Sequence, residues 1–546
     1  MEYYKPFRKD LSNFSYAEIT KQEDQHLVSG KPVENNRAIN GDIVHYDENT
    51  MEVVGVKQRF QGLIVGILHL NNNQKYGFTK KKVPYIKFTS LSGKFPNFIV
   101  PSKVRQKTAH YCVIKFNKWD TSNKHPIGQI EYLLGSVGNR QFETEALLFK
   151  TNVYPRKSKF KYNELPSLEE SFNDYKTFSI DPVGCKDIDD ALHYKELDNG
   201  KKEIGIHIAN VARYVDSWET NFFSSVYLKE KQINMLDESH SFERCSLGHG
   251  EKKRALSLIL TFDGFVLEKY EFRESIVRNN ALSYQDVEKM ISDCSGGGIY
   301  KLWDFTSKLK LLPELSATKM VEYYMLLYNK LVAETLYKYD KRTILRTHSV
   351  QDTQLAVEDS RLADYLHKIS QSAAVYESNP VETGHQDLEM KFYTHATSPI
   401  RRYVDIINQK NIINFLEGRD IIFEEKLEEI NDFQKKLRRF YNHYKKLDII
   451  FGMEEARDLE AFIVGIEGIK LRIYIPELDI EHGFLGISRK LLECNKVIEN
   501  QDYLEINDVK LGIMDKITVR ITALKYEERF NKKLNIKILN PEINLL

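Results

Sequence analysis

The chain has 546 residues, which is too long for a single hydrophobic core and favours three or four domains. Hydrophobic residues make up 42% and aromatic residues 12%, a composition that argues against a largely disordered protein. The net charge of +1 conceals an uneven distribution of charge along the chain. Residues 56–120 hold 13 Lys or Arg and a single acid, Asp120. This local excess of positive charge indicates a polyanionic partner.

The five cysteines lie far apart, and none belongs to a Cys-x-x-Cys pair. This spacing favours reduced thiols over a zinc site or a disulfide framework. The N-terminus lacks the apolar core of a signal peptide, and the longest apolar stretch, near Phe60–Leu70, is too short to span a membrane. We therefore expect an intracellular protein without membrane contact, in the cytoplasm or alternatively the nucleus, and we expect a monomer.

The first part of the chain is rich in short runs of alternating apolar residues. Runs such as RFQGLIVGILHL, KVPYIKFTSL and AHYCVIKF are separated by turn residues, a pattern typical of strands in small β-barrels. We predict an abbreviated barrel over residues 1–55 and a second barrel over residues 56–138.

The central part of the chain, residues 139–455, is predicted to be one mixed α/β domain. The segment ALHYKELDNGKKEIGIHI predicts a hairpin, because Asp-Asn-Gly supplies the positive φ angles of a tight turn. Beyond residue 300, apolar residues recur at the i, i+3 and i+4 spacing of helices. Residues 456–546 return to β alternation and predict a third barrel. The expected fold class is α+β and multidomain, with small barrels on both sides of a mixed α/β centre.

Four carboxylates crowd into ten residues of the segment FSIDPVGCKDIDDALHY: Asp181, Asp187, Asp189 and Asp190. A solvated acidic loop is one alternative, although apolar residues are threaded through the segment. A calcium loop is another, but the spacing does not fit an EF-hand. Crowded buried carboxylates repel each other, and a hard divalent cation such as Mg²⁺ or Mn²⁺ relieves this. Two such ions roughly 3.5–4 Å apart can hydrolyse a phosphodiester.

A second candidate constellation lies in HATSPIRRYVDIINQ. Thr397 or Ser398 can cap a helix that has a proline in its first turn. Arg401 and Arg402 would then lie in the first turn, where cations oppose the helix dipole unless they bind an anion. The arginines predict a phosphate contact, and the alternative is an ion pair with an acid such as Asp405.

Two segments together, IDPVGCKDIDDALHYKELDNGKKEIGIHIANV and YTHATSPIRRYVDIIN, resemble the ribonuclease II (RNB) superfamily. The likeness covers most of residues 140–420, and the wording around Gly184 and Cys185 resembles the eukaryotic exosome catalytic-subunit branch. The resemblance implies two cold-shock-type OB barrels before an RNB catalytic domain and one RNA-binding OB barrel after it. It also implies processive 3′→5′ hydrolysis of single-stranded RNA with release of nucleoside 5′-monophosphates.

The resemblance also implies roles for individual residues. Catalysis should depend most on Asp189, Arg401 matches the family's arginine at the scissile phosphate, and Tyr284 matches an aromatic residue near the terminal nucleotide. The candidate catalytic residues are Asp189, Arg401, Asp187 and Tyr284, and the candidate ligands of two Mg²⁺ or Mn²⁺ ions are Asp181, Asp187, Asp189 and Asp190. The aromatic residues of the basic second barrel either stack RNA bases or form its core: Phe60, Tyr76, Phe78, Phe88 and Phe98.

The sequence departs from the family's wording at three places. Asn210 replaces an aspartate, Gln409-Lys410 replaces His-Arg, and Tyr323 replaces the second residue of a Glu pair. A PIN endonuclease domain, which tethers the exosome subunit, is not recognised before the first barrel, so we do not expect association with the exosome. The alternative function is a catalytically inactive, RNA-binding regulator built on the same fold; such proteins typically lose the aspartates that this chain retains.

Overall fold

The computed structural model describes residues 36–47, 52–155, 159–165, 174–311, 315–348, 359–370, 373–380, 384–385, 388–485, 497–499, 503–506 and 509–542, and the backbone of four strands before residue 31. These residues form two compact units. The first unit comprises residues 1–154, 357–362 and 436–546, and the second unit comprises residues 155–356 and 363–435. No helix of the described residues is long and apolar enough to cross a membrane.

The N-terminal part of the first unit is a six-stranded sheet followed by a closed five-stranded barrel and one helix. The sheet has the order β2-β3-β1-β5-β6 with β4 beside β3, and the barrel has the order β10-β11-β9-β8-β7. The bounds are β1 (Glu2–Lys5), β2 (Phe7–Lys9), β3 (Ser15–Thr20), β4 (Gln25–Gly30), β5 (Asp42–Asp47), β6 (Glu52–Gln58), β7 (Leu63–Leu68), β8 (Tyr85–Ser90), β9 (Phe98–Pro101), β10 (His110–Lys118), β11 (Ile127–Ser136) and α1 (Arg140–Thr151).

The second unit is built on a second closed barrel, with the order β13-β14-β15-β19-β20. Its elements are β12 (Lys159–Tyr162), β13 (Asp174–Asp181), β14 (Asp190–Glu196), β15 (Lys202–Ala209), α2 (Val211–Tyr214), β16 (Val215–Glu219), β17 (Val226–Tyr227), β18 (Gln232–Ile233), a π-helix (Ser239–Cys245), β19 (Lys252–Asp263), β20 (Val266–Ser283), α3 (Tyr284–Ser292), α4 (Gly298–Lys310), α5 (Ala317–Tyr339), β21 (Ile344–Thr347), α6 (Ser360–Ser370), β22 (Val375–Ser378) and α7 (Tyr403–Leu416).

The remaining elements are one long helix and a second sheet of the first unit. They are α8 (Leu427–Gly452), β23 (Arg457–Glu467), β24 (Lys470–Ile475), β25 (Ile480–Leu485), β26 (Val497–Glu499), β27 (Tyr503–Ile506), β28 (Val509–Gly512), β29 (Lys516–Ala523), a 3₁₀ turn (Phe530–Lys532) and β30 (Leu534–Asn540). The main sheet has the order β25-β24-β23-β29-β30, and β26, β27 and β28 form a separate small sheet.

The barrel of the second unit positions the acidic segment. The predicted hairpin is confirmed as β14 and β15, which pair antiparallel from Asp190↔Ile208 to Glu196↔Lys202, and its turn contains Gly200 at a φ of 78°. Apolar side chains of the barrel pack against α4 and α5, with Ile206 and Leu258 in the shared core. The barrel that carries the aspartates is therefore held in place by a close-packed, buried apolar core.

The predicted fold class is confirmed, since a mixed α/β unit carries the central segment and β-rich segments precede and follow it. The predicted domain limits at residues 55, 138 and 455 stay predictions. The contacts within the structure change units between residues 154 and 155 and between residues 435 and 436, so α1 belongs with the barrel before it.

Candidate active site

The four aspartates lie where β13 ends and β14 begins. Asp181 is the last residue of β13, and Asp190 is the first residue of β14. The backbone of the connecting loop is fixed, because Ile188 N donates to Ser246 Oγ at 3.0 Å and the carbonyl of Asp189 accepts from Ala209 N at 2.8 Å. All four aspartates line one cavity of about 450 Å³, together with Arg401 and Tyr284. The structure thus brings together every residue of the predicted site.

Protein donors hold the carboxylates of Asp187 and Asp189. Asp189 is 4% exposed, and its two oxygens accept from Ile400 N at 2.9 Å and from Arg401 Nε at 3.3 Å. Asp187 Oδ2 accepts from the Tyr227 hydroxyl and from Gln232 Nε2, the latter at 2.9 Å. These two aspartates are therefore partnered within the protein.

The pKa values of Asp181 and Asp190 are both raised to near neutrality. Burial, together with the neighbouring Asp187 carboxylate, raises the pKa of Asp181 to about 6, and burial together with Asp181 raises the pKa of Asp190 to about 7. Oδ2 of Asp181 is buried and accepts no hydrogen bond from the described residues. An unsatisfied carboxylate oxygen and two raised pKa values indicate that a cation is needed here to stabilise the charged forms.

The donor set fits a hard divalent ion bound by few protein ligands. In the described part of the chain, no group of three or more His, Cys, Asp or Glu is placed to hold an ion by itself. Mg²⁺ often binds through only one or two carboxylates and completes its shell with water and substrate phosphate. Asp181 and Asp190 fit that role as they stand, whereas the oxygens of Asp187 and Asp189 already accept hydrogen bonds from protein donors and have fewer lone pairs left for an ion. A four-carboxylate cluster around two ions stays a prediction.

The two adjacent arginines differ in what they contact. Arg402 Nη2 donates to the buried carboxylate of Asp405 at 2.9 Å, so the predicted alternative, an ion pair, applies to Arg402. Arg401 keeps 43% of its side chain exposed and contacts Asp189 and Ser398 Oγ, the latter at 2.8 Å from Nη2. Its guanidinium therefore remains available to an anion in the cavity.

The predicted start of the arginine helix is wrong. Helix α7 begins at Tyr403, and Arg402 is the residue that precedes it, in an extended conformation. Ser398 instead closes a turn, since its carbonyl accepts from the backbone N of Arg401 and of Arg402. Arg401 is held outside the helix because its carbonyl accepts from Ser225 N at 3.0 Å. Neither arginine therefore lies in the first turn of α7, where its charge would oppose the helix dipole.

Tyr284 reaches the site because of the way two strands pair. Strands β13 and β20 run parallel, and Asp181 pairs with Ser283, which caps α3 through its side chain. Tyr284 is the next residue, so its phenol lies beside the aspartates. Burial and the carboxylates of Asp190 and Asp181 raise the pKa of the Tyr284 phenol. The hydroxyl therefore stays protonated at neutral pH.

The residues at which the sequence departs from the family's motifs do not line the cavity. Gln409 Nε2 donates to the carbonyl of Ala209 at 2.9 Å, and its Oε1 accepts from Ala212 N at 3.3 Å. Asn210 Nδ2 donates to Glu274 at 2.8 Å. The Gln409 amide thus fixes the backbone at the end of β15, where Ala209 N donates to the carbonyl of Asp189. Tyr323 packs against the core beside Glu322, which lines the cavity.

Sequence reasoning missed Tyr227 and Gln232. The two residues face each other across the short hairpin of β17 and β18, and both donate to the same oxygen of Asp187. Nothing in the local pattern marks them, since they lie 40 and 45 residues from their acceptor.

Comparison with known families assigns most of the chain. The model of the RNB domain matches residues 169–315 and 300–418, and the model of the Dis3-like cold-shock domain 2 matches residues 85–152. The probable exosome complex exonuclease RRP44 of Caenorhabditis elegans is 24% identical in an alignment 540 positions long, gaps included, that covers 79% of this chain. The chain spans only 56% of the length of that relative.

Solved structures share the fold at low sequence identity. RNase R of Mycoplasma genitalium, in complex with ribose-methylated single-stranded RNA, superposes with a TM-score of 0.75 at 16% identity, covering 99% of this chain and 100% of that one. Yeast Ssd1, described as a pseudonuclease, gives a TM-score of 0.64 at 15% identity over 100% of this chain and 97% of that one. The two family models match in chain order, so the chain carries a Dis3-like cold-shock domain followed by an RNB domain.

Proposed function

We propose that the chain is a metal-dependent exoribonuclease that hydrolyses single-stranded RNA from its 3′ end and releases nucleoside 5′-monophosphates. The observation that carries this proposal is one cavity in which the guanidinium of Arg401 faces Asp181 and Asp190, two carboxylates with raised pKa values. Such a cavity has carboxylates to bind a metal cation and a guanidinium to bind the phosphate of a phosphodiester.

Asp181 and Asp190 would hold the Mg²⁺ or Mn²⁺ ion. When bound, such an ion supplies an activated water and stabilises charge on the phosphate oxygens. In this proposal Asp189 acts as the residue that orients Arg401, through the contact with Nε at 3.3 Å. Arg401 then presents its remaining N–H groups to the scissile phosphate, where charge builds up during hydrolysis.

Three further residues would shape the substrate site. Tyr284, protonated at neutral pH, offers a ring for stacking on the terminal nucleotide and a hydroxyl that can donate. Tyr227 and Gln232 would hold Asp187 in position, since both donate to its Oδ2. The similar RNase R of Mycoplasma genitalium has been solved in complex with single-stranded RNA, and this supports single-stranded RNA as the substrate class.

A second candidate function is a non-catalytic RNA-binding protein. The observation that favours it is the fold shared with Ssd1, described as a pseudonuclease. The presence of all four aspartates and of Arg401 in one cavity favours the enzyme. We therefore rank catalysis first and let the cleavage assay decide.

The experiment uses a 5′-labelled single-stranded RNA and the full chain with Mg²⁺ or Mn²⁺. We expect the wild type to shorten the RNA from its 3′ end, to release mononucleotides, and to lose this activity with a chelator. Asp189→Asn should abolish cleavage, and Asp304→Asn, an acid-to-amide change on the exposed face of α4, is the matched control. RNA binding without metal-dependent release of nucleotides by the wild type would support the second function.

A further inference from the structure

A second cavity, of about 220 Å³, lies within the first unit and is lined by basic side chains. His443 and Lys446 reach it from α8, and His482 reaches it from β25. The other lining residues are Ile450, Gly483, Phe530, Asn531 and Leu534. The described lining thus contains three basic groups and no carboxylate.

A fourth base stands next to this cavity. Nζ of Lys150, at the end of α1, lies 4.6 Å from the ring centre of Phe530, and the ring of His443 packs edge-on against the same phenyl at 5.4 Å. Three separate elements, α1, α8 and β25, therefore direct basic side chains towards one place. Buried basic side chains lose the water that would stabilise their protonated forms, and a bound anion would replace it.

The nearby acids are engaged elsewhere. Glu481 precedes His482 on β25 and attracts Lys446, but its carboxylate lies 3.4 Å from Arg472 and its side chain is 37% exposed. Glu143, on α1, is paired with Lys533. One polar atom of the cavity is itself without a partner, since Nδ1 of His482 is buried and makes no hydrogen bond within the described residues.

We propose that this cavity binds a phosphoryl anion, held by His443, Lys446 and His482, with Lys150 adding charge from α1. The cavity is smaller than the roughly 300–1,000 Å³ of typical small-molecule pockets, so a single phosphate group fits it better than a whole nucleotide. The group comes either from inorganic phosphate, from a phosphate monoester, or from the backbone of bound RNA. This site shares no lining residue with the aspartate cavity and does not depend on the function proposed for it.

The titration behaviour of the bases agrees with this assignment. Burial, assisted by Lys150 and Lys446, lowers the pKa of His443 to about 4, and burial with Lys446 lowers the pKa of His482 to about 4. Burial lowers the pKa of Lys150 to about 8, and it also lowers the pKa of Lys446, which Glu481 only partly offsets. The histidines are thus neutral at pH 7, and an entering anion raises their pKa values. Anion binding is therefore coupled to proton uptake by the protein.

The test is calorimetric titration of the metal-free full chain with sulfate, a probe that keeps its charge between pH 6 and 8, and with inorganic phosphate. We expect tighter binding at pH 6 than at pH 8, and a binding enthalpy at pH 7 that depends on the ionisation enthalpy of the buffer. His482→Gln should weaken binding about tenfold, the cost of one charge-assisted hydrogen bond. The matched control is His45→Gln, which removes an exposed histidine of β5.

Competition then identifies the source of the phosphate. Displacement of sulfate by adenosine 5′-monophosphate indicates a monoester, displacement by a short single-stranded RNA indicates a backbone phosphate, and displacement by phosphate alone indicates the free anion. The proposal is overturned if the wild type binds neither sulfate nor phosphate at pH 6, or if His482→Gln and Lys446→Gln bind as the wild type does. The buffer dependence of the wild-type enthalpy stands even if a variant fails to fold.

Discussion

Lys533 and Glu143 form an ion pair at 2.8 Å in which both side chains are completely buried. Glu143 also accepts from Gly138 N at 3.0 Å and from the Tyr111 hydroxyl at 2.7 Å. Lys533 donates in addition to the carbonyl of Lys525 at 2.8 Å. Within the first unit, this network joins α1 and β10 to the segment that leads into β30. Residues far apart in the sequence are therefore fixed to each other by fully desolvated charges.

Removing one member of this pair should destabilise the first unit strongly. Lys533→Met leaves the carboxylate of Glu143 buried without its cation, and we expect a loss of about 3–5 kcal/mol in the free energy of unfolding. Chemical denaturation followed by fluorescence measures it. The control is Lys516→Met, which breaks an exposed pair with Glu460 and should cost about 0–1 kcal/mol. A small loss for Lys533→Met, equal to that of the control, would contradict the role of the pair.

Asp190→Asn should separate stability from activity. The folded-state pKa of Asp190, about 7, lies above the ordinary value of 3.8, so its contribution to stability is present at low pH and is lost as the pH rises through 7. At pH 8 the metal-free wild type carries a buried charge that the amide lacks. We expect the free energy of unfolding of the variant, relative to that of the wild type, to be about 1–3 kcal/mol higher at pH 8 than at pH 5, and we expect the variant to lose metal-dependent cleavage.

The measurement is denaturant unfolding at both pH values with a chelator, and then with Mg²⁺. The metal should stabilise the wild type at pH 8 and leave Asp190→Asn unchanged. Asp181→Asn should behave in the same way with a smaller effect, because the pKa of Asp181 is raised less, to about 6. A variant that is less stable than the wild type at pH 8 would show that the Asp190 carboxylate is satisfied within the protein.

The sequence predicted which residues meet in the cavity better than it predicted the local backbone that holds them. The acidic segment and the β14–β15 hairpin were predictable because turn residues and alternation are local signals. The donors to Asp187 were not, because Tyr227 and Gln232 acquire their role only when a distant hairpin folds over the loop. The helix start was misplaced because Pro399 matches a helix signal, whereas a tertiary contact to Ser225 holds Arg401 outside the helix.

Substitutions of the neighbouring residues Arg401 and Arg402 should separate a role in cleavage from a role in stability. Arg401→Lys should lower the cleavage rate about 10²–10³-fold with little change in stability, since it keeps the charge near Asp189 but loses the planar fork. Arg402→Met should instead destabilise the second unit by about 3–5 kcal/mol, because Asp405 is completely buried and would lose its cation. Single-turnover cleavage and denaturant unfolding of both variants measure the two effects. Equal losses of rate at equal stability would contradict this division of roles.

The aromatic residues of the barrel formed by β7 to β11 divide into core and surface. Phe88 and Phe98 are completely buried and pack edge-on at 6.2 Å, whereas Phe78 is 63% exposed, close in sequence to Lys80. Alternation alone could not sort them, because every strand of a closed barrel has an inner and an outer face. We expect Phe78→Ala to weaken binding of single-stranded RNA by about 1–3 kcal/mol without unfolding the protein.

Phe98→Ala is the companion variant, and it should cost about 3–5 kcal/mol of stability because it leaves a cavity in the barrel core. Filter binding of a labelled RNA to Asp189→Asn protein, which should not degrade the probe, measures the affinity, and thermal unfolding measures the stability. Salt should weaken binding of the Asp189→Asn protein with the same slope whether or not it also carries Phe78→Ala, because a phenyl ring neutralises no phosphate. A changed salt slope would mean that Phe78 positions a lysine rather than stacking on a base.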